Sequence, residues 1–239
     1  MKYCSIVVCH FAQVDSFGGL EARWRKESQT RSEMLKKSLE SLWENTDYPY
    51  ELIVMDNGGN PDDSDYLLDK AREGKLTHVR FPQNMHFAYA WNMGAKIATG
   101  EYLCFICNDI EVAGGWLSSC VHLLEKYRDR KLIATPFISY DKHRNNMEDL
   151  EDATINGRSG SNCLIIRRED FLTLGEWPVN KKGGTLWYNR MFRMGYRSII
   201  PKEERAEDRG YRHGVNFNIP IEVKKILLDG SEVHFEEKQ

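Results

Sequence analysis

With 239 residues, 41% of them hydrophobic and 29% charged, the chain has material for one sizeable core and none of the bias of a fibrous or disordered protein. A formal net charge of −3 supplies no global basic field, which argues against nucleic acid or an anionic membrane surface as a general partner. No apolar run approaches the roughly 18 residues that a membrane span needs, and Met1 to Cys4 leads directly into a strand-like segment, which points to a cytoplasmic protein.

Tyr3 to Cys9 is a mainly apolar run that predicts a first buried strand, ending at His10-Phe11. The segment from Ala12 to Thr30 is polar, with Gly18-Gly19 and Trp24, and predicts a long connecting loop that serves as a lid or acceptor platform. From Ser32, apolar residues at 34, 35, 39, 42 and 43 recur at helical spacing up to Asn45. Glu51 to Met55 predicts a second strand running into Asp56-Asn57-Gly58. A helix from Pro61 to about Glu73, a short strand from Thr77 to Phe81 and a helix ending before Gly100 follow.

Tyr102 to Cys107 is the most apolar strand of the chain, and Asn108-Asp109 stops it. In open α/β sheets the carboxyl ends of such strands border the ligand crevice, so Asp109 is a candidate for a ligand or metal. On residue type alone the same pair reads equally well as a turn or a helix cap. A helix from about Gly114 to Arg128 and a strand from Leu132 to Ile138 come next, then a polar loop predicted from Asp141 to Asn156. Ser161 to Arg167 predicts a strand, Arg168 to Leu174 a short helix, Gly183 to Met194 another helix and Ser198 to Ile200 a closing strand. Strand and helix alternating in this way predict an α/β fold, a mostly parallel doubly wound sheet with helices on both faces. The six cysteines lie mostly inside apolar runs and read as small buried side chains. Cys104 and Cys107, three apart on a strand, point to opposite faces and should not share a metal.

Several of these pieces, taken in order, resemble the signatures of family-2 nucleotide-sugar glycosyltransferases with the GT-A fold. They are the run from Asn84 through Asn92 to Gly94, then Gly100-Glu101-Tyr102, then Asn108-Asp109 with Glu111, then Gly115-Trp116-Leu117. The first strand, Asp56-Asn57-Gly58 and the spacing of Arg190 to Gly195-Tyr196 fit the same pattern, which covers residues 3 to about 200. The resemblance implies a GT-A domain over residues 1–215 with a C-terminal tail at 216–239. It implies a nucleoside-diphosphate sugar donor, with a UDP-sugar favoured, and Mn²⁺ or Mg²⁺ bridging the diphosphate. In the family an Asp-x-Asp motif holds that metal; its last acid falls on Asp109 and its first on Cys107, a departure. One carboxylate, diphosphate oxygens and water can still satisfy a hard divalent ion. The implied nucleotide pocket falls on His10, Phe11, Asp56, Asn57, Asn84, Asn92 and Asn108, with an aromatic or imidazole ring stacking on the base. His10 by itself reads more simply as a loop histidine.

A second departure concerns the general base. Inverting members carry a Glu-Asp pair that falls here on Gly183 and Gly184. The base then comes from elsewhere, or the enzyme retains configuration, or the chain is a non-catalytic nucleotide-sugar or glycan binder. Glu207 and Asp208 are the nearest acids in sequence and are candidates for the catalytic base, and His213 is a candidate metal ligand. Their segment reads equally as a solvated charge run. A nucleotidyltransferase would share the pocket and the metal. The residues single out no acceptor, and glycan, protein, small molecule and modified nucleic-acid base all fit.

Overall fold

The computed structural model describes residues 2–11, 21–136, 146–157, 162–180, 183–203, 206–208, 224–226 and 232–234. Strand β1 (Cys4–His10) is buried on both faces because it lies inside the sheet, hydrogen-bonded in parallel to β2 (Tyr50–Asn57) on one side and β4 (Tyr102–Cys107) on the other. Its side chains alternate as a pleated strand requires: Ile6 and Val8 enter one core, Val7 the other. The outer neighbour of β2 is β3 (Thr77–Phe81), also parallel. Beyond β4 come β9 (Cys163–Arg167), antiparallel, then β6 (Leu132–Ala134), β10 (Arg197–Pro201), β8 (Ala153–Asn156) and β7 (Asn146–Asp149). Together they form a nine-stranded sheet in the order β3-β2-β1-β4-β9-β6-β10-β8-β7.

Helices cover both faces. On one side α1 (Glu21–Asn45), α2 (Pro61–Arg72) and α4 (Trp116–Lys126) bury Leu35, Leu39, Leu67, Trp116 and Leu124. On the other, α3 (Phe87–Ile97), α5 (Arg168–Leu174) and α6 (Gly183–Arg193) bury Trp91, Phe171, Trp187 and Met191, with Trp177 stacked on Trp187 at 4.0 Å between ring centroids. Each such side chain, fully removed from water, contributes about 1.5 to 3 kcal/mol. Helix α3 lies very close to β1: a Cβ at Gly94 would stand 2.3 Å from a Val7 methyl carbon, so only glycine permits this approach. The approach holds the later part of α3 against the middle of β1.

The expected α/β architecture is therefore present, with three differences. Glu21 to Thr30 is helical, so much of the segment expected as a loop extends α1. The residues are polar but include strong helix formers such as Ala, Glu, Lys, Arg and Gln, and polarity alone is a poor sign of a loop. The remainder of that segment, at 12–20, lies outside the described residues, as does 137–145. The polar stretch expected as a loop up to Asn156 contains β7 and β8, short strands held by pairing with β10 and with each other, which their own sequence does not signal. The sheet is mixed, because β9 runs antiparallel to both β4 and β6. A separate two-stranded pair joins β5 (Ile110–Val112) to β11 (Ala206–Asp208), and another joins β12 (Lys224–Ile226) to β13 (Glu232–His234). The expected domain boundary near residue 215 lies outside the described residues. All six cysteines are free, and no helix among the described residues is long and apolar enough to cross a membrane.

Candidate active site

The strand order turns back at β1: successive crossovers lead outward through β2 and β3, and β4 then returns to the opposite side of β1. Such a switch point opens a crevice beyond the carboxyl ends of the strands. The register brings those ends level, with Cys9 opposite both Met55 and Cys107, and His10 opposite Asp56. His10, Asp56, Asn108 and Asp109 are thus gathered at one place by strand pairing alone.

His10 is fully buried. The Asn108 amide donates to its Nδ1 at 2.9 Å, which places the ring proton on Nε2, and Nε2 donates to the Asp63 carboxylate at 3.0 Å. Asp63 is held in turn by the Ser32 hydroxyl (2.7 Å) and the Asn60 amide (3.0 Å). The ring stack expected of His10 finds no exposed face here. The residue instead positions Asn108, the neighbour of Asp109. Phe11, at the next position, is half-buried.

Asp56 is also fully buried, and its carboxylate accepts from the Gly59 amide (2.7 Å), the Ser64 hydroxyl (2.5 Å) and His78 Nε2 (3.4 Å). Burial disfavours its charge, but the hydrogen bonds from His78, Ser64 and Gly59 outweigh that and hold its carboxyl below the ordinary range. Because the folded value is the lower one, the stabilisation is complete above the unfolded carboxyl pKa and is lost as pH falls through the folded value. Asp56→Asn is expected to destabilise the protein by about 1.5 to 3 kcal/mol at pH 7, the scale of a charge-assisted hydrogen bond. The difference from wild type should shrink in acid. Urea denaturation at pH 7 and pH 3 checks this, and equal midpoints at pH 7 would show the network to be dispensable.

The other expected pocket residues have structural partners. Asn57 donates to the Asn84 side chain (3.0 Å) and accepts from the Met85 amide (2.8 Å), tying the loop after β3 to the end of β2. Asn92 is 4% exposed and spends both ends of its amide on the backbone of Trp177, at 2.9 Å each way. Its described bonds anchor the loop before α6 and bring it to none of the other expected site residues.

Asp109 is half-buried in the turn between β4 and β5. Strand β11 lies along β5 in the register Asp208 to Ile110 and Glu207 to Glu111, so the chain returns beside Asp109 after the main sheet is complete. His213 lies outside the described residues. Among the described residues no group of three His, Cys, Asp or Glu side chains converges on one point. A preformed protein cage for a cation is therefore absent there, whereas a single carboxylate suits a hard ion that takes its remaining ligands from a diphosphate and water. Cys107, a soft donor, adds little for such an ion.

At the start of α6 the backbone is built for glycine. A Cβ on Gly183 would stand 2.1 Å from the Pro178 carbonyl oxygen and 3.6 Å from Cε1 of His86. One on Gly184 would meet Phe87 at an ordinary 3.7 Å. The position where the resemblance puts a general base is thus closed at 183 and open at 184. Sequence reasoning missed His86, Asp63, Ser64 and His78. Asp63 read only as part of a helix start, and its contact with His10 spans 53 residues of sequence.

A doubly wound sheet of the GT-A kind, with a switch-point crevice and an acid at the end of the central strand, is the class of fold this arrangement defines. The chain belongs to glycosyl transferase family 2, whose family model matches residues 28–202. Among solved structures, that of GalNAc-T7 with UDP, GalNAc and Mn²⁺ superposes with a TM-score of 0.63 at 16% identity, covering 86% of this chain and 42% of that one. The structure of S. aureus TarS 1-349 superposes with a TM-score of 0.60 at 13% identity, covering 86% and 60%. At these identities the likeness shows the fold. By sequence, a putative polypeptide N-acetylgalactosaminyltransferase 13 of Drosophila melanogaster is 28% identical over 145 residues, 55% of this chain and 24% of its own length. The O-antigen biosynthesis protein RfbC of Myxococcus xanthus is 29% identical over 93 residues, 38% of this chain and 7% of its own length. The chain therefore spans a quarter or less of these curated relatives.

Proposed function

We propose that the chain transfers a sugar from a nucleoside diphosphate, a UDP-sugar first of all, to a hydroxyl acceptor, with Mn²⁺ or Mg²⁺ held by Asp109 and the donor diphosphate. The observation that carries this is the position of Asp109, a carboxylate at the end of the central strand of a family-2 domain, braced through Asn108 by the buried His10–Asp63 pair. The structural neighbour solved with UDP and Mn²⁺ supports the choice of nucleotide and ion. Asp109 would hold such an ion, which when bound would supply positive charge against that of the leaving diphosphate. Asp109 fixes that charge in place, the Asn57–Asn84 bond shapes the adjoining loop, and Phe11 offers a ring to the base. In β11, Glu207 and Asp208 return beside β5 and are the proposed source of the base that takes the acceptor proton, Asp208 being the nearer to Asp109 in register.

The test is product analysis with UDP-N-acetylgalactosamine and UDP-N-acetylglucosamine, with Mn²⁺ or EDTA present. Release of UDP that depends on Mn²⁺ fits glycosyl transfer to acceptor or water. Release of pyrophosphate identifies nucleotidyl transfer, and tight binding without either product identifies a binding module. In an active enzyme, Asp208→Ala is expected to lower turnover by about 10²-fold or more while leaving UDP affinity unchanged. Loss of both would mark Asp208 as a metal ligand instead.

A further inference from the structure

His86 has backbone angles φ 77° and ψ 141°, and it is the sole non-glycine residue with positive φ among those described. This lies outside the small left-handed helical region that histidine tolerates, in territory that glycine alone enters at little cost. The side chain accepts a hydrogen bond from the Ala88 amide at Nδ1 (3.2 Å) and so caps α3. Capping does not explain the choice of residue, since asparagine, serine or aspartate would cap as well. The ring is 6% exposed, tilts against Phe87 at 4.6 Å between centroids, and has Cε1 3.6 Å from the point where a Cβ of residue 183 would be. The imidazole edge thus lies within ordinary contact of the place from which the family's base would project, while the Pro178 carbonyl is what closes residue 183 to a side chain.

We propose that His86 is a substrate-contacting residue whose Nε2–H donates a hydrogen bond to an oxygen of the transferred sugar, bound between the N-termini of α3 and α6. The proposal rests on the nucleotide-sugar reading above. The α3 side of that space adjoins the strand ends assigned to the nucleotide, and the α6 side is where the acceptor's base is expected. A group standing between the two meets the sugar that passes from one to the other. The hydrogen-bond sense follows from the cap: Nδ1 is already an acceptor, so the neutral ring carries its proton on Nε2. Burial lowers the His86 pKa to about 4, which keeps the ring neutral at physiological pH. A ring in that state offers a donor and no lone pair, so His86 orients a sugar oxygen and does not replace the missing base.

The experiment measures dissociation constants of UDP and of UDP-N-acetylgalactosamine, both with Mn²⁺, for wild type, His86→Gly and His86→Asn. Glycine relieves the backbone, so His86→Gly is expected to melt no lower than wild type. It should leave UDP affinity unchanged and weaken the sugar nucleotide about tenfold, the scale of one neutral hydrogen bond. Asparagine, with an N–H donor and a capping oxygen, should restore most of the loss. Equal effects of His86→Gly on UDP and on UDP-N-acetylgalactosamine, or none on either, overturn the proposal, and so does an asparagine variant no better than glycine. A wild type that binds no UDP overturns the nucleotide-sugar reading and this role with it, a result distinct from failure of the His86 contact alone.

Discussion

Asp109→Ala is expected to abolish Mn²⁺-dependent turnover of the sugar nucleotide while leaving the melting temperature close to that of wild type. Asp109 lies in a turn at the end of β4 and is only half-buried, so its removal leaves the two cores untouched. Its proposed contribution is to the charge that develops on the leaving diphosphate. Stabilisation of that kind by a bound ion is worth several kcal/mol, or at least about a hundredfold in rate. Among the described residues no group of three His, Cys, Asp or Glu side chains stands there to hold the ion in its place. Turnover as a function of Mn²⁺ concentration, together with calorimetry of UDP binding with and without Mn²⁺, checks the expectation. A variant with wild-type metal dependence would remove Asp109 from the site and return it to the role of a turn residue.

The second large effect concerns residues 183 and 184, which a reader of the sequence would treat as equivalent glycines. Gly183→Asp is expected to destabilise the protein by about 1 to 3 kcal/mol or more, because the new Cβ meets a backbone carbonyl that cannot rotate aside. The strain would be transmitted to the loop carrying Trp177, whose ring stacks on Trp187 one turn into α6. Gly184→Asp meets Phe87 at ordinary contact distance and adds an acid to a helix N-terminus, where negative charge is favourable by some tenths of a kcal/mol. Thermal denaturation of the two variants should separate them clearly. A Gly183→Asp protein as stable as wild type would mean that this turn adjusts freely and that the closed geometry is no barrier to a base. If Gly184→Asp raises turnover, the mapped position does face the acceptor.

The strands that build the site were legible because they are continuous apolar runs. β1, β2 and β4 each stop at a polar residue, and that pattern pointed to Asp56 and Asp109 at one end of a sheet, to which the family resemblance added His10. The family signatures added the order in which these ends meet. What the pattern could not show is the depth at which each polar group lies. His10 and Asp56 stand at strand ends, where exposure is the ordinary expectation, yet both are fully buried. They are tolerated there because Asp63, Ser64 and His78, from α2 and β3, satisfy their hydrogen bonds. Those partners become visible only after α2 and β3 are packed. The short strands β7, β8 and β11 failed to show for a related reason, since their stability comes from the strands they join and hardly from their own residues. His86 was passed over because one histidine inside a signature run gives no sign of its backbone angles.

The antiparallel strand β9 also sets an order of assembly. β1 to β4 are joined by consecutive crossovers and can pair as they emerge from the ribosome. Strand β6, though earlier in the chain than β9, has both of its sheet neighbours, β9 and β10, still to come when it is synthesised. Until residue 167 is available, one edge of β4 is bare and three buried residues of β6 have no strand to lie beside. The growing chain therefore passes through a stage with β1 to β4 in place and an open, apolar sheet edge, the kind of surface that recruits other strands. Truncations ending before β9 should aggregate even though they retain every strand that borders the proposed donor crevice.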